Sequence, residues 1–184
     1  YESHPLARAE YIRLFGVLCG RTSMADSLFD SLQERYLSLC ESVNREEKLK
    51  VLVNMPYDNQ WFIPGEDNYM SRLIQDAGGA ILGSKKNSRS SGIISVEQAY
   101  LLSKEADVWL NPGYVSSKRE LCAANPLFDK FNIDRIYNNT LRLNAEGGND
   151  FFESGNVRPD LILEDLIAIF NEEDSLFHYY LKVD

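Results

Sequence analysis

LKVLVNMPYDNQWFIPGEDNYMSRLIQDAGGAILG, residues 49–83, decides the fold. Val51, Leu52 and Val53 make a short β-branched run with no polar alternation, which reads as a strand covered on both faces. A loop rich in Pro, Asn, Asp and Gly follows. DNYMSRLIQDAG then carries a helical pattern that stops at Gly78 and Gly79, and AILG returns as a second short strand. The alternation continues downstream. SVEQAYLLSKEA is a helix with Ser95 as N-cap, DVWLNPG a strand ending at Pro112 and Gly113, and SSKRELCAA and PLFDKF are helical. RIYNN is a strand, Pro159 to Phe170 a helix with proline in its first turn, and SLFHYYLKV a last helix. Strands this apolar, alternating with helices, predict an α/β fold: a three-layer αβα lobe around a mostly parallel sheet.

Upstream, HPLARAEYIRLFGVLCG sets Leu6, Ile12, Phe15 and Cys19 at helical spacing, with Gly20 as a stop. TSMADSLFDSLQERYLSLCESV follows, with Thr22 or Ser23 as N-cap and a stripe of Ala25, Leu28, Phe29, Leu32, Tyr36 and Leu39. This helix is far longer than the mean of about 11–12 residues. Its length suits either a strut between two bodies or a packed peripheral helix. The charged run NREEKLK marks a boundary, giving a helical segment 1–47 and an α/β lobe 48–184.

The 184 residues are 44% hydrophobic with a net charge of −9, which fits a folded domain and opposes a nucleic-acid binder, since phosphate contacts need a basic face. No run of about 18 apolar residues is present. Cys19, Cys40 and Cys122 are odd in number and lack CxxC spacing, so neither a disulfide scaffold nor a zinc ribbon is expected. Cys19 and Cys40 read as buried free thiols. His4 and His178 stand near opposite ends of the chain, which excludes a histidine-rich metal site and a Ser-His-Asp triad in the middle of the fold. No dinucleotide, P-loop or nucleophile-elbow pattern occurs. Glu146, Asp150 and Glu153 crowd one glycine-rich loop, and such a set reads as a solvated face rather than a catalytic pair.

In parallel sheets ligands sit beyond the carboxyl ends of the strands. There VLVN leads into a loop with Tyr57, Trp61 and Phe62, DVWL into Asn111 and Tyr114, and RIY into Asn138 and a glycine-rich loop with Phe151 and Phe152. Rings and amides converging on one edge describe a recognition surface for a bulky, partly apolar ligand. Trp61 and Phe152 are expected at the same rim.

The order AEYIRLFGVLCGRTSMADSLFDSLQERYLSL…KLKVLVN resembles the inter-lobe segment of the substrate-binding proteins of ABC importers for iron-siderophores, haem and cobalamin. The family's G-x-L-x-G-R-x-x-x-A pattern falls on Gly16, Leu18, Gly20, Arg21 and Ala25. YDNQWFIPGEDNYMSRLIQDAGG, ISVEQAYLLSKEADVWLNPG and VRPDLILEDLIAIF are similar to its first cleft loop with the following helix, its S-x-E segment and its C-terminal helix, most like the Bacteroides-type branch.

The resemblance implies a connecting helix and C-terminal lobe, with an N-terminal lobe elsewhere in a lipoprotein of the periplasm or cell envelope. It implies capture of an iron-siderophore, haem or cobalamin and delivery to a membrane permease. No catalysis, cofactor or protein-held metal is expected. Cleft residues would be Tyr57, Trp61, Phe62, Asn111, Tyr114, Asn138, Phe151 and Phe152, with Glu66 and Glu146 docking on permease arginines. The scarcity of cations in the three loops, Arg142 excepted, favours a neutral macrocycle or chelate. The other class in view is an intracellular α/β sensor or interaction domain that dimerises through the long helix.

Overall fold

The computed structural model describes residues 2–44, 46–173 and 176–184. Three helices come first: α1 (Pro5–Ala9), α2 (Tyr11–Leu18) and α3 (Thr22–Ser42). Gly20, at φ +65°, ends α2 in the left-handed region that glycine enters freely. α2 and α3 cross so closely that a Cβ on Gly16 would stand 2.3 Å from the Cβ of Ala25. That contact explains why the two ends of the motif are glycine and alanine. The residue capping α3 is Arg21, one position before the expected Thr22 and without a side-chain cap bond.

Only part of the α3 stripe is covered. Tyr36 is buried and its hydroxyl donates to Asp76 at 2.6 Å, and Leu32, Leu39 and Cys40 pack on the core. Leu28 is exposed, as are Leu14, Phe15 and Leu18 of α2, so the hairpin bares an apolar face. Cys19, just past the end of α2, is exposed rather than buried, whereas partial burial pushes the Cys40 thiol up to about 11.

The main sheet contains β1 (Leu49–Val53), β3 (Gly79–Ile81), β5 (Val108–Leu110), β6 (Ile136–Asn138) and β7 (Leu181–Lys182), in the order β3-β1-β5-β6-β7. The first four run parallel and β7 is antiparallel to β6. Every residue from Val51 to Val53 and from Val108 to Leu110 is buried, as sheets covered on both faces require. α4 (Tyr69–Asp76) and α7 (Pro159–Asn171) pack together with α3, and α5 (Val96–Ser103) and α6 (Lys118–Ala124) gather around the 3₁₀ turn Pro126–Lys130.

Two features depart from the sequence pattern. A separate antiparallel ribbon pairs β2 (Trp61–Ile63) with β4 (Gly92–Ile94), inside what reads as loop. The stretch SLFHYYLKV is no helix over its described residues 176–183. The buried Asp165 carboxylate accepts the N–H groups of His178 (2.8 Å), Tyr179 (2.7 Å) and Tyr180 (3.2 Å), and Val183 donates to Ile136. Backbone donors committed to α7 and β6 are not available for an i→i−4 ladder, so the segment closes the sheet edge instead.

Candidate functional site

From β1 the chain crosses to β3 on one side and then returns to β5 on the other, so the connections diverge above β1 and β5. This is the point at which open α/β sheets form a crevice. Val53 pairs with Leu110 and Leu110 with Tyr137, which places Asn54, Asn111 and Asn138 one step further along at a single level. Asn54 (φ 64°) and Asn111 (φ 59°) turn the chain out of the sheet in the left-handed region, where asparagine is among the few tolerated side chains.

These strand ends floor a cavity of about 570 Å³. The loops carry Asn68, Tyr69 and Met70 at the start of α4, Tyr114 after β5, and Asn139, Thr140, Asn149, Phe151 and Phe152 after β6 to its walls. The opening of the chain adds Glu2, Ser3 and Arg8. Seven of the fourteen asparagines of the chain line this one cavity. The charged lining residues are Arg8, Arg89, Glu2 and Asp67, whose formal charges cancel. The lining is therefore richest in amides and carries no net formal charge.

Each wall is held by bonds readable in the local sequence. Asn68 caps α4 by accepting from Met70 N–H at 3.1 Å. The Asn54 amide donates to Phe62 O at 2.8 Å, and the Asn138 amide donates to Gly113 O and to Val115 O (2.9 Å), fastening the loop after β5 to β6. Asn149 accepts from Phe151 N–H at 3.0 Å and caps the 3₁₀ turn Asp150–Phe152. The same loop is braced by Asp150, which accepts from Ser154 Oγ at 2.8 Å and from Arg142 at 3.1 Å. Arg8 lies 3.7 Å over the Tyr69 ring and donates to Asn156 Oδ1 at 2.9 Å. Burial pushes the Tyr69 phenol up to about 12, so it faces the cavity as a neutral hydroxyl. Burial also raises the Tyr180 phenol, which faces the Asn111 amide.

The structure brings Asn111, Tyr114, Asn138, Phe151 and Phe152 together and leaves Tyr57, Trp61 and Phe62 outside the lining. Trp61 is 0% exposed in a cluster with Trp109, Phe128 and Phe131, so it does not share a rim with Phe152. Its indole donates to Val53 O at 2.8 Å, and Trp109 donates to Asn54 O at 2.7 Å, so this cluster sets the carboxyl end of β1 from beneath. Tyr57 projects into solvent at a tight turn bridged to Gln60, and Phe62 stands on the outer side of β2. Phe151 is packed edge-on against Tyr179, Tyr180 and Phe152, while Phe152 is 60% exposed at the mouth.

Glu66 accepts from Asn87 N–H at 3.3 Å beside the cavity wall, and Glu146 is exposed in a turn held by Asn144. The cavity residues missing from the sequence reading divide into two kinds. Asn54 repeats the pattern of an apolar strand followed by asparagine and was findable. Arg8 and Arg89 come from distant elements with no such signal. Among the described residues no three His, Cys, Asp or Glu side chains converge as a metal site, and no helix is long and apolar enough to cross a membrane.

No family model matches the sequence. An uncharacterized lipoprotein of Methanocaldococcus jannaschii is 23% identical over 188 aligned positions, covering 98% of this chain and 44% of the relative. A periplasmic heme-binding protein from Pseudomonas aeruginosa superposes with a TM-score of 0.66 at 14% identity, over 99% of this chain and 66% of its own. The periplasmic vitamin B12-binding protein of Vibrio cholerae gives 0.64 at 12% identity, over 94% and 63%. A possible iron-binding periplasmic solute-binding protein from Staphylococcus epidermidis gives 0.62 at 17% identity, over 92% and 64%. The chain thus spans less than two thirds of each of these proteins. At such identities the likeness speaks to the fold alone: this chain shares the α/β architecture of a part of each of these three proteins.

Proposed function

We propose that this chain is the ligand-capturing C-terminal lobe, with its connecting helix, of a solute-binding protein that takes up an iron-siderophore, haem or cobalamin and hands it to an ABC permease. The observation that carries the reading is the position of the cavity. A space of about 570 Å³, walled by Tyr69, Tyr114, Phe151 and Phe152, opens at the carboxyl ends of the parallel strands where the connections diverge. Ligands of α/β sheets gather there. Residues 1–47 form the strut of this reading and 48–184 the lobe.

The exposed apolar residues of α2 and α3 support a second body packed on the strut, because Leu14, Phe15, Leu18, Met24 and Leu28 are all large and exposed on this one hairpin. Glu66 and Glu146 are assigned to permease docking, and the protein to the outer side of the membrane as a lipoprotein. Binding without catalysis is in keeping with the structural neighbours, which are named as binding proteins.

The test is calorimetric titration of the full-length protein with haem, cyanocobalamin and a panel of ferric siderophores. Saturable binding of one of them at one site per chain is expected. Absence of binding by all overturns the reading in favour of an interaction domain.

A further inference from the structure

Two amides of the cavity lining have their polarity fixed by the backbone. Asn138 is 1% exposed, and its nitrogen donates to Gly113 O and Val115 O. That pair of bonds decides which end of the amide is which and leaves Oδ1 as the free acceptor, buried and with no partner among the described residues. Asn149 is 6% exposed and spends its oxygen on Phe151 N–H. Its free end is therefore the Nδ2 donor, which is likewise buried and unpartnered. Tyr69 and Asn111 add two more unpaired atoms to the same lining, a hydroxyl and a second amide Oδ1.

Unpaired buried polar atoms are rare in native proteins because each costs the desolvation of that group. An acceptor and a donor that line one cavity and keep no internal partner mark a surface built for a ligand that completes them.

We propose that the part of the lining carrying Asn138 and Asn149 is a subsite for carboxamide groups on the ligand. The inference rests on the binding-protein reading and sharpens its chemistry. A carboxamide donates through N–H and accepts through C=O, so it satisfies Asn138 Oδ1 and Asn149 Nδ2 together. A carboxylate or catecholate oxygen is acceptor-only and leaves Asn138 Oδ1 facing another lone pair. An ammonium is donor-only and leaves Asn149 Nδ2 without a partner. The formal charges of Arg8, Arg89, Glu2 and Asp67 cancel, so the lining carries no net charge to set against the desolvation of an ionised ligand. The site selects a neutral, amide-bearing ligand over its acidic counterpart.

The test uses matched probes on the full-length protein, by calorimetry at neutral pH. One pair is haem and the bis-amide made from its two propionates. The other is dicyanocobinamide, with peripheral amides, and dicyanocobyrinic acid, with carboxylates in their place. The amide member of the binding pair is expected to bind about tenfold or more tightly than the acid, the scale set by leaving a buried polar group unpaired.

Asn149→Asp keeps the oxygen that caps Phe151 and exchanges the free donor for an acceptor. It is expected to fold, as checked by thermal melting, and to bring the preference to twofold or less. Phe152→Ala, at the mouth, is expected to weaken both members equally and leave their ratio intact.

An acid that binds as tightly as its amide, or a ratio unmoved in a folded Asn149→Asp, overturns the carboxamide subsite and leaves the binding-protein reading standing. Should Asn149→Asp fail to fold, the wild-type ratio alone decides. If none of the four probes nor any ferric siderophore binds, both the subsite and the binding-protein reading fall.

Discussion

The chain holds two groups of aromatic side chains near the carboxyl ends of its strands, and they do opposite things. Trp61, Trp109, Phe128 and Phe131 interlock with centroids 5.2–6.1 Å apart, each buried. Both indole N–H groups in this cluster end on backbone carbonyls. Tyr69, Tyr114 and Phe152 line the cavity, where the Tyr69 hydroxyl finds no partner among the described residues and Tyr114 and Phe152 are mostly exposed. A ring whose polar atom and faces are satisfied internally is structure, whatever loop it comes from. One whose needs are left open is placed for something that arrives later. Phe151 stands between the groups, touching the cavity while its ring anchors on Tyr179 and Tyr180.

The sharpest way to break this division is Trp61→Ala. Emptying the cluster of its indole is expected to cost about 3–5 kcal/mol in denaturant unfolding, the range for large-to-small changes at buried aromatics. Loss of ligand affinity should follow loss of fold. A stable Trp61→Ala protein with abolished binding would return Trp61 to the ligand side.

Asp165→Ala comes next. It strips three backbone N–H groups of their acceptor, and charge-assisted bonds of this type are worth about 1.5–3 kcal/mol each before relaxation. A destabilisation of about 2–3 kcal/mol is expected, together with faster amide exchange across 178–183 and unchanged protection in β1 and β5. Uniform loss of protection would mean that β7 is integral to the core rather than fastened onto it.

The division itself was only half legible in the sequence. Strand and helix identities were, because Val51–Val53 and Val108–Leu110 are apolar throughout and because Ser95 and Gln98 form a capping box whose spacing is local. So were Asn111 and Asn138, which stand at strand ends, and the Phe151–Phe152 loop, which belongs to the connection after β6. Trp61 was not, because the ribbon that buries it joins residues about thirty apart across segments too short to carry a period. The same holds for the last strand. HYYLK has no pattern that forbids a helix, and what forbids it is one carboxylate on α7. Arg8 reaches the cavity only through the docking of α1 near α4. Local chemistry was readable, and long-range pairing that reassigns a local segment was not.

On the cavity side, Phe152→Ala tests the opposite claim to Trp61→Ala. With 60% of the residue exposed, truncation is expected to change stability by no more than about 0.5 kcal/mol. Affinity for the ligand should drop about tenfold, equal to about 1.4 kcal/mol. If stability falls as far as in Trp61→Ala, Phe152 belongs to the packed group and the contrast collapses.

The smallest effect concerns acid, where the Phe152 loop and the closing segment 178–180 are held by carboxylates shifted in opposite directions. The Ser154 hydroxyl above all, helped by the Ser154 N–H and Arg142, holds Asp150 below the ordinary carboxylate range against the cost of desolvation. Its contribution to the Phe152 loop is therefore present above the unfolded value and is lost as pH falls through the lower folded one. Burial, only partly offset by three N–H groups, raises the carboxyl of Asp165. That group takes up its proton more readily folded than unfolded, so its share of stability is present below the unfolded value and declines as pH rises through the folded one. Between about pH 8 and pH 5 the cavity loop should thus keep its geometry, with affinity for a neutral ligand flat across the range. Melting curves from pH 7 to pH 3 should show Asp150→Asn and wild type separated by a constant small gap that closes only below the ordinary carboxylate range. A gap that closes already near pH 6 would mean that Asp150 is not held by Ser154 and Arg142 in solution, and the loop carrying Phe152 would then owe its shape to the Asn149 cap and the ring contacts of Phe151.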